Sequence, residues 1–277
     1  MGNIIWLASY PRSGNIWLQS FLHNLLSDAR HTPNREEISG FCASESAAIH
    51  FMTPGARPLS EWTWQEAAGR RGAAHKAITE LRSDNVFAST RAALAESGGA
   101  PTITMEYTAA AIYLVRNPLD LAVSLAAAQG QSIDQAITRL ETEYLSKNSD
   151  QFAYECHGSW STHVLSWTYQ RHAGLHLLRY EDMLLAPENA FGPLATFLGF
   201  DTPGERLARA IHFASFAELS LREKEAGVEG ESASAGKLLR AGTSDQWRDV
   251  LSADQVRRII AAHGEQMERF SYIPDGF

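Results

Sequence analysis

Two cysteines, Cys42 and Cys156, are all that this chain of 277 residues contains. They are too few and too far apart in sequence for a disulfide framework, and no Cys/His cluster has the spacing of a zinc site, so a reducing compartment and no metal are expected. Long apolar runs are missing too. None approaches the roughly 18 residues of a membrane span, and no basic leader with a cleavable apolar segment is seen, so the expectation is a soluble, cytoplasmic protein. Excess positive charge is also absent: a net charge of −8 and a pI near 5.7 argue against a general nucleic-acid binder, whose affinity rests on a basic surface. No internal repeat recurs at a fixed period, and oligomeric state is left open. With 44% hydrophobic and 20% charged residues, one large α/β domain over residues 1–277 is favoured over two small ones.

What is present is organised around residues 4–26, IIWLASYPRSGNIWLQSFLHNLL. The opening run Ile4, Ile5, Trp6, Leu7 is too short for a core helix and ends in turn chemistry, which predicts a buried strand. Behind the turn, Trp17, Leu18, Phe21, Leu22, Leu25 and Leu26 recur at three- and four-residue spacing, which predicts a helix from about Asn15. A strand, tight loop and helix in this order direct backbone N–H groups and the positive end of a helix dipole at one point, suited to an anion. Gly14 allows close backbone approach, Arg12 can fork two hydrogen bonds onto a phosphate or sulfate, and Ser13 and Asn15 add short polar donors. An ordinary strand-to-helix connection is the alternative. Gly-Lys-Ser/Thr, the ending of a nucleotide triphosphate P-loop, is absent.

Residues 27–75 read as irregular and rich in Pro, Gly and Ser, either an insertion that shapes an acceptor-binding mouth or a surface excursion pinned by Trp62 and Trp64. A strand at 85–88 leads to Ser89, Thr90 and Arg91. The clearest buried strand, 109–115, stops at Arg116-Asn117-Pro118, where Pro118 suits a first helical turn and Asp120 complements the helix dipole. Arg116 and Ser124 then lie at the carboxyl end of a strand and in the following helix, where open parallel sheets bind ligands. Ser132 with Gln135, Thr202 with Glu205, and Ser252 with Gln255 have capping-box spacing. Residues 146–159 read as a polar connection, 160–172 as a packing helix and 175–178 as another strand. Residues 223–237 have almost no large apolar side chains and are expected to be mobile without ligand. Alternating strands and helices predict an α/β fold, P-loop-like, in three α/β/α layers around a central parallel sheet.

Four strings together resemble the cytosolic-type sulfotransferases, which use 3′-phosphoadenosine 5′-phosphosulfate. Tyr10-Pro11-Arg12-Ser13-Gly14-Asn15-Ile16-Trp17 is similar to that family's 5′-phosphosulfate loop, and Arg116 to Ser124 to its 3′-phosphate motif. Arg179-Tyr180-Glu181-Asp182 and the late Arg240-Ala241-Gly242 with Trp247 follow in family order. The resemblance implies that Arg12 holds the sulfate and leaving phosphate, Ser13, Gly14, Asn15 and Ile16 supply loop amides, and Trp17 stacks on adenine. It implies that Arg116 and Ser124 bind the 3′-phosphate, Tyr180 and Phe216 line the adenine pocket, and Arg240 and Gly242 fold over the 3′-phosphate from a loop at 223–242. Adenosine 3′,5′-bisphosphate would be the product, with a small-molecule acceptor and no metal. Ile16 and Ala241 depart from the family pattern by losing a hydroxyl and a cation. The family's catalytic His aligns with Arg91, which cannot accept a proton but can stabilise charge. Glu106, His75 and His50 are the replacement bases weighed, with Glu106 first. A nucleotide-binding relative impaired in catalysis and a P-loop kinase or NTPase are the competing readings.

Overall fold

The computed structural model describes residues 2–170, 172–201, 204–225 and 242–277. Five strands, β1 (Ile4–Ser9), β2 (Cys42–Ser44), β3 (Val86–Thr90), β4 (Thr108–Val115) and β5 (Leu175–Arg179), form a parallel sheet in the order β2-β3-β1-β4-β5. The first strand of the chain is therefore the middle one. Its register sets Ala8 beside Thr90 on one side and beside Tyr113 on the other. Because all five strands run the same way, the segments after Ser9, Thr90, Val115 and Arg179 emerge along one edge, the edge at which open parallel sheets hold ligands.

Side-chain alternation along β1 divides the interior. Ile4, Trp6 and Ala8 pack on one face with Tyr113, Val115, Trp160, Val164, Ile259 and Met267. Leu7 packs on the other with Leu18, Phe21, Ile112, Leu114 and Phe191. Helices cover both faces, which makes the expected three-layer α/β/α arrangement. Helix α1 (Asn15–Ser27) buries Trp17, Leu18, Phe21, Leu22 and Leu25, the stripe read from the sequence. The Ser132/Gln135 and Ser252/Gln255 capping boxes are both formed, and Asn117 caps the Pro118–Gln129 helix by accepting from Leu119 N. Among the described residues no helix is long and apolar enough to cross a membrane. Thr202 of the expected Thr202/Glu205 box and residues 226–241 of the expected 223–242 loop lie outside the described residues, and residues 223–225 end the Phe216–Glu225 helix instead of opening a loop.

Residues 27–75 are more regular than expected. They contain the Arg35–Phe41 helix, edge strand β2 and most of the 16-residue Trp64–Thr79 helix. Both longer helices open with complete capping boxes, Asn34 with Glu37 and Thr63 with Glu66. The Trp64–Thr79 helix lacks a stripe of large apolar residues because its inward face is mostly Ala67, Ala68, Ala74 and the polar Arg71 and His75. The 146–159 connection contains the short strand Cys156–Gly158, which pairs with Tyr144–Leu145 just before the connection.

Candidate active site

The loop after β1 turns through left-handed backbone at Arg12 (φ 72°) and Gly14 (φ 102°). A non-glycine residue in that region costs roughly 1–2 kcal/mol, so the Arg12 conformation is maintained by its surroundings. Ser13 N donates to Tyr10 O at 3.2 Å, which closes the turn, and Leu18 N donates to Gly14 O at 3.2 Å as an opening helical bond. The amides of Asn15, Ile16 and Trp17 precede that bond and have no intrahelical partner, and the helix dipole adds positive potential there. Ser13 Oγ is buried without a hydrogen-bond partner among the described residues. The Asn15 side chain does not join this set. Its Nδ2 donates to Leu7 O at 2.9 Å and Ser9 Oγ at 3.0 Å while Oδ1 accepts from Gln19, so it braces the loop against β1 and only its amide remains for an anion.

The neighbouring wall comes from β4 and β5. Arg116 Nη1 donates to Arg12 O at 2.9 Å, and Arg12 Nε donates to Ser124 Oγ at 3.3 Å. The two arginines expected at opposite ends of one ligand are thus linked through a backbone carbonyl. Arg116 Nε is buried with no partner among the described residues, and its guanidinium lies 4.1 Å from the Tyr180 ring centroid. The other side of this wall is braced by carboxylates. Asp120 accepts from Asp245 N at 2.8 Å and Trp247 N at 3.1 Å, and Glu181 accepts from Asn117 N at 2.9 Å and the Tyr272 hydroxyl at 2.7 Å. Burial raises the pKa of both carboxyls. Trp17 is only 7% exposed and meets Tyr180 and Phe191 edge-on, which leaves it little open face for the expected stacking. Gly242, at φ 59°, lies against Phe216 so closely that a Cβ would sit 2.0 Å from the ring. Arg240 is outside the described residues.

A second cluster lies at the end of β3. Arg91, half exposed, pairs with Glu155 at 3.4 Å. Glu155 Oε1 accepts from Ser46 Oγ at 3.0 Å, and Oε2 accepts from His157 Nε2 at 3.1 Å. Burial pushes the Glu155 pKa up, but the charge of Arg91 and the bonds from His157 and Ser46 outweigh it and hold the pKa at about 2. Backbone bonds fix this arrangement: Ala93 N donates to Cys156 O at 2.8 Å, and Ala153 N donates to Ser46 O at 2.7 Å. His157 touches the loop of β1 through the Tyr10 ring, centroid to centroid 6.3 Å, and stacks on Tyr144 at 5.5 Å.

The other histidines weighed from sequence are placed differently. His75 is fully buried with both nitrogens occupied, Nδ1 by Thr104 at 2.9 Å and Nε2 by Glu45 at 3.3 Å. His50 is partly buried on the short Ala48–Phe51 helix. Glu106 is a correction: it sits exposed in the Met105–Tyr107 turn before β4. In a parallel sheet that is the amino-terminal edge, about 25 Å from the ligand edge at 3.3 Å per residue, so it cannot act as base.

The sequence profile of the Sulfotransferase domain family matches residues 3–271. The chain belongs to the sulfotransferase family. Sulfotransferase 1B1 of Mus musculus is 24% identical over 274 residues, with 96% of this chain and 83% of that protein covered. Sulfotransferase 1A1 of Rattus norvegicus is 22% identical over 269 residues, covering 94% and 83%. Among solved structures, mouse sulfotransferase SULT7A1 complexed with PAP aligns with a TM-score of 0.63 at 17% identity, covering 98% of this chain and 90% of that one. Retinol dehydratase in a complex with retinol and PAP aligns at 0.66 and 16% identity, covering 96% and 81%. At these identities the structural likeness carries the fold.

For a sulfotransferase, the two clusters divide the chemistry. One offers amides, two guanidiniums and buried polar atoms without partners, which fits a ligand with two anionic groups. The other couples an arginine, a carboxylate and an imidazole beside the same loop. Sequence reading singled out Arg91 and missed Glu155 and His157, although they stand two residues apart, Glu155 just before and His157 inside the short Cys156–Gly158 strand.

Proposed function

We propose that this chain transfers the sulfuryl group of 3′-phosphoadenosine 5′-phosphosulfate to a hydroxyl or amine of a small-molecule acceptor. The observation that carries the reading is the link between two anion-seeking groups: Ser13 Oγ and Arg116 Nε, both buried without partners among the described residues, on either side of the Arg116–Arg12 hydrogen bond. When bound, the nucleotide supplies an activated sulfuryl group on a phosphate leaving group. Arg12 and the amides of Gly14, Asn15 and Ile16 hold that phosphosulfate and take up charge on the departing phosphate. Arg116 and Ser124 hold the 3′-phosphate, and Tyr180 and Phe216 border the purine. Gly242, with Arg240, meets the 3′-phosphate, and residues 27–75 form the acceptor side. PAP in the complex of the mouse sulfotransferase and retinol in the complex of retinol dehydratase support a bisphosphate nucleotide and a small organic acceptor.

Calorimetric titration with adenosine 3′,5′-bisphosphate beside ATP tests the reading. A clear preference for the bisphosphate is expected, and ATP bound more tightly and hydrolysed would favour a P-loop kinase or NTPase instead. Arg91 in place of a proton-accepting histidine favours a second reading, a relative that binds the nucleotide without efficient transfer. Single-turnover transfer to a phenol separates the two.

A further inference from the structure

Sulfuryl transfer to a neutral hydroxyl requires a group that removes its proton, and Arg91 stays protonated with no acceptor atom. Among the buried histidines near the ligand edge, His163 is fully engaged: Nε2–H donates to Arg91 O at 3.2 Å and Nδ1 accepts from the Tyr113 hydroxyl at 2.8 Å. His157 is different. Its Nε2 faces an ionised carboxylate, Glu155, at 3.1 Å and therefore carries the proton. Its Nδ1 then presents a lone pair, and that atom is buried with no partner among the described residues. This is the polarity of a general base held by a carboxylate.

Resting on the nucleotide reading above, we propose that His157 is the general base of the transfer, with Glu155 and Arg91 as its positioning residues. The acceptor O–H gives its proton to His157 Nδ1 while the oxygen lone pair forms the new O–S bond. The bridging S–O bond breaks, its electron pair goes to the 5′-phosphate oxygen, and Arg12 with the loop amides receives that charge. Glu155 fixes the tautomer and stabilises the imidazolium. Arg91 keeps Glu155 ionised and lies on the solvent side of the cluster, with its side chain 50% exposed against 11% for Glu155 and 4% for His157. Tyr144, partly exposed, is stacked on the face of the imidazole, and because Nδ1 is buried a neighbouring side chain must move for an acceptor to reach it. The groups facing the ring are Glu155 beside it, Arg91 at the end of β3, Arg139 on the Ile133–Glu141 helix, and Tyr10, Tyr144 and His163. Burial lowers its pKa below the usual imidazole value, Glu155 opposes this, and the two arginines reinforce it, so the ring is neutral and receptive at pH 7.

The test uses the parent protein saturated with adenosine 3′,5′-bisphosphate, with 2-naphthol as acceptor probe and nitrogen-15 labelled histidine. NMR should show His157, assigned by its loss in His157→Gln, neutral at pH 7 with the proton on Nε2, and its Nδ1 signal should move when naphthol is added. A proton on Nδ1, a cationic ring or an Nδ1 signal indifferent to saturating naphthol overturns the proposal whether or not turnover is seen. In the transfer assay, His157→Gln should lower kcat/KM for neutral naphthol about 10²–10⁴-fold. A nitrophenol assayed above its pKa needs no base and should lose less than about tenfold. His157→Phe, which keeps an aromatic ring on Tyr144, should show the same split, and bisphosphate affinity should stay within about threefold in both. Equal losses with both acceptors overturn the proposal. A parent that fails to bind bisphosphate defeats the nucleotide reading itself, and a parent that binds it with the wrong tautomer defeats only this one.

Discussion

Replacing Gly14 by Ala tests how the anion loop is built. At φ 102° an alanine sits in left-handed backbone, which costs roughly 1–2 kcal/mol. Its Cβ would also lie 2.7 and 2.9 Å from Tyr180 Cδ2 and Cε2. The ring has little room to retreat, because Tyr180 is 6% exposed, the Arg116 guanidinium stacks on it at 4.1 Å and Trp17 abuts it at 5.7 Å. Overpacking of this kind costs about 1–3 kcal/mol, so Gly14→Ala should lose about 2–5 kcal/mol in urea unfolding of the ligand-free protein. Because the displaced ring carries Arg116, bisphosphate affinity should fall in parallel. Tyr180→Leu combined with Gly14→Ala removes the collision and leaves the backbone cost, so the double-mutant cycle should show a favourable coupling of more than about 1 kcal/mol. A loss below about 0.5 kcal/mol in the single variant, or strict additivity in the cycle, would refute the steric account of this glycine.

Arg116→Ala should weaken bisphosphate binding by about 1.5–3 kcal/mol, the range for charged hydrogen bonds, and Arg116→Lys should recover little of it because a point charge cannot reproduce the guanidinium fork or its stacking; calorimetry checks both. Asp120→Ala leaves the amides of Asp245 and Trp247 unpaired, so unfolding free energy should fall by about 2–4 kcal/mol, counting two donors at about 1–3 kcal/mol each with partial relaxation. Burial lowers the pKa of His163 to about 3 and of His263 to about 4. A depressed histidine contributes stability that is whole above its unfolded pKa near 6.5 and is lost as pH falls toward the folded value. Unfolding free energy should therefore drop below pH 6.5 by about 1.4 kcal/mol per unit for each ring, and His263→Gln should remove one ring's share of the slope between pH 6 and 5.

The sequence made the strand, loop and helix of residues 4–26 legible because its signals agree: a short apolar run, turn residues and a helical stripe all indicate one structure. Pro118 and the two serine capping boxes were legible for the same reason. The Trp64–Thr79 helix was hidden because alanines and a buried Arg71–Glu45 pair occupy the face where large apolar residues normally stand. The Thr63/Glu66 box was the signal that marks its start. Glu106 was misplaced by adjacency in sequence: it precedes β4, and in the parallel sheet expected from the same sequence the residue before a strand lies opposite the ligand edge. Glu155 and His157 escaped because their partner Arg91 is 64 and 66 residues away, and only β3, β2 and the Tyr144–Gly158 ribbon bring them together.

The exchange of a histidine for Arg91 looks like a loss only when position 91 is considered alone. Glu155 is buried and ionised, and an ionised carboxylate without a cation in such a place is costly. Ser46 and a neutral His157 supply hydrogen bonds but no positive charge, so Arg91 is the cation within salt-bridge distance that balances it among the described residues. Once that pair exists, the imidazole beside Glu155 is held in one tautomer, and the ring of Tyr10, in the loop after β1, lies edge-on to it. A histidine at 91 would offer a second weak base and remove the charge that keeps Glu155 in the state its neighbour requires. Under the proposed assignment the arginine and the relocated imidazole therefore depend on each other, and Arg91→His should impair transfer to a neutral phenol rather than restore it. Faster turnover of 2-naphthol by that variant would show that position 91 remains the natural seat of the base and that the Glu155–His157 pair serves only to hold the ribbon in place.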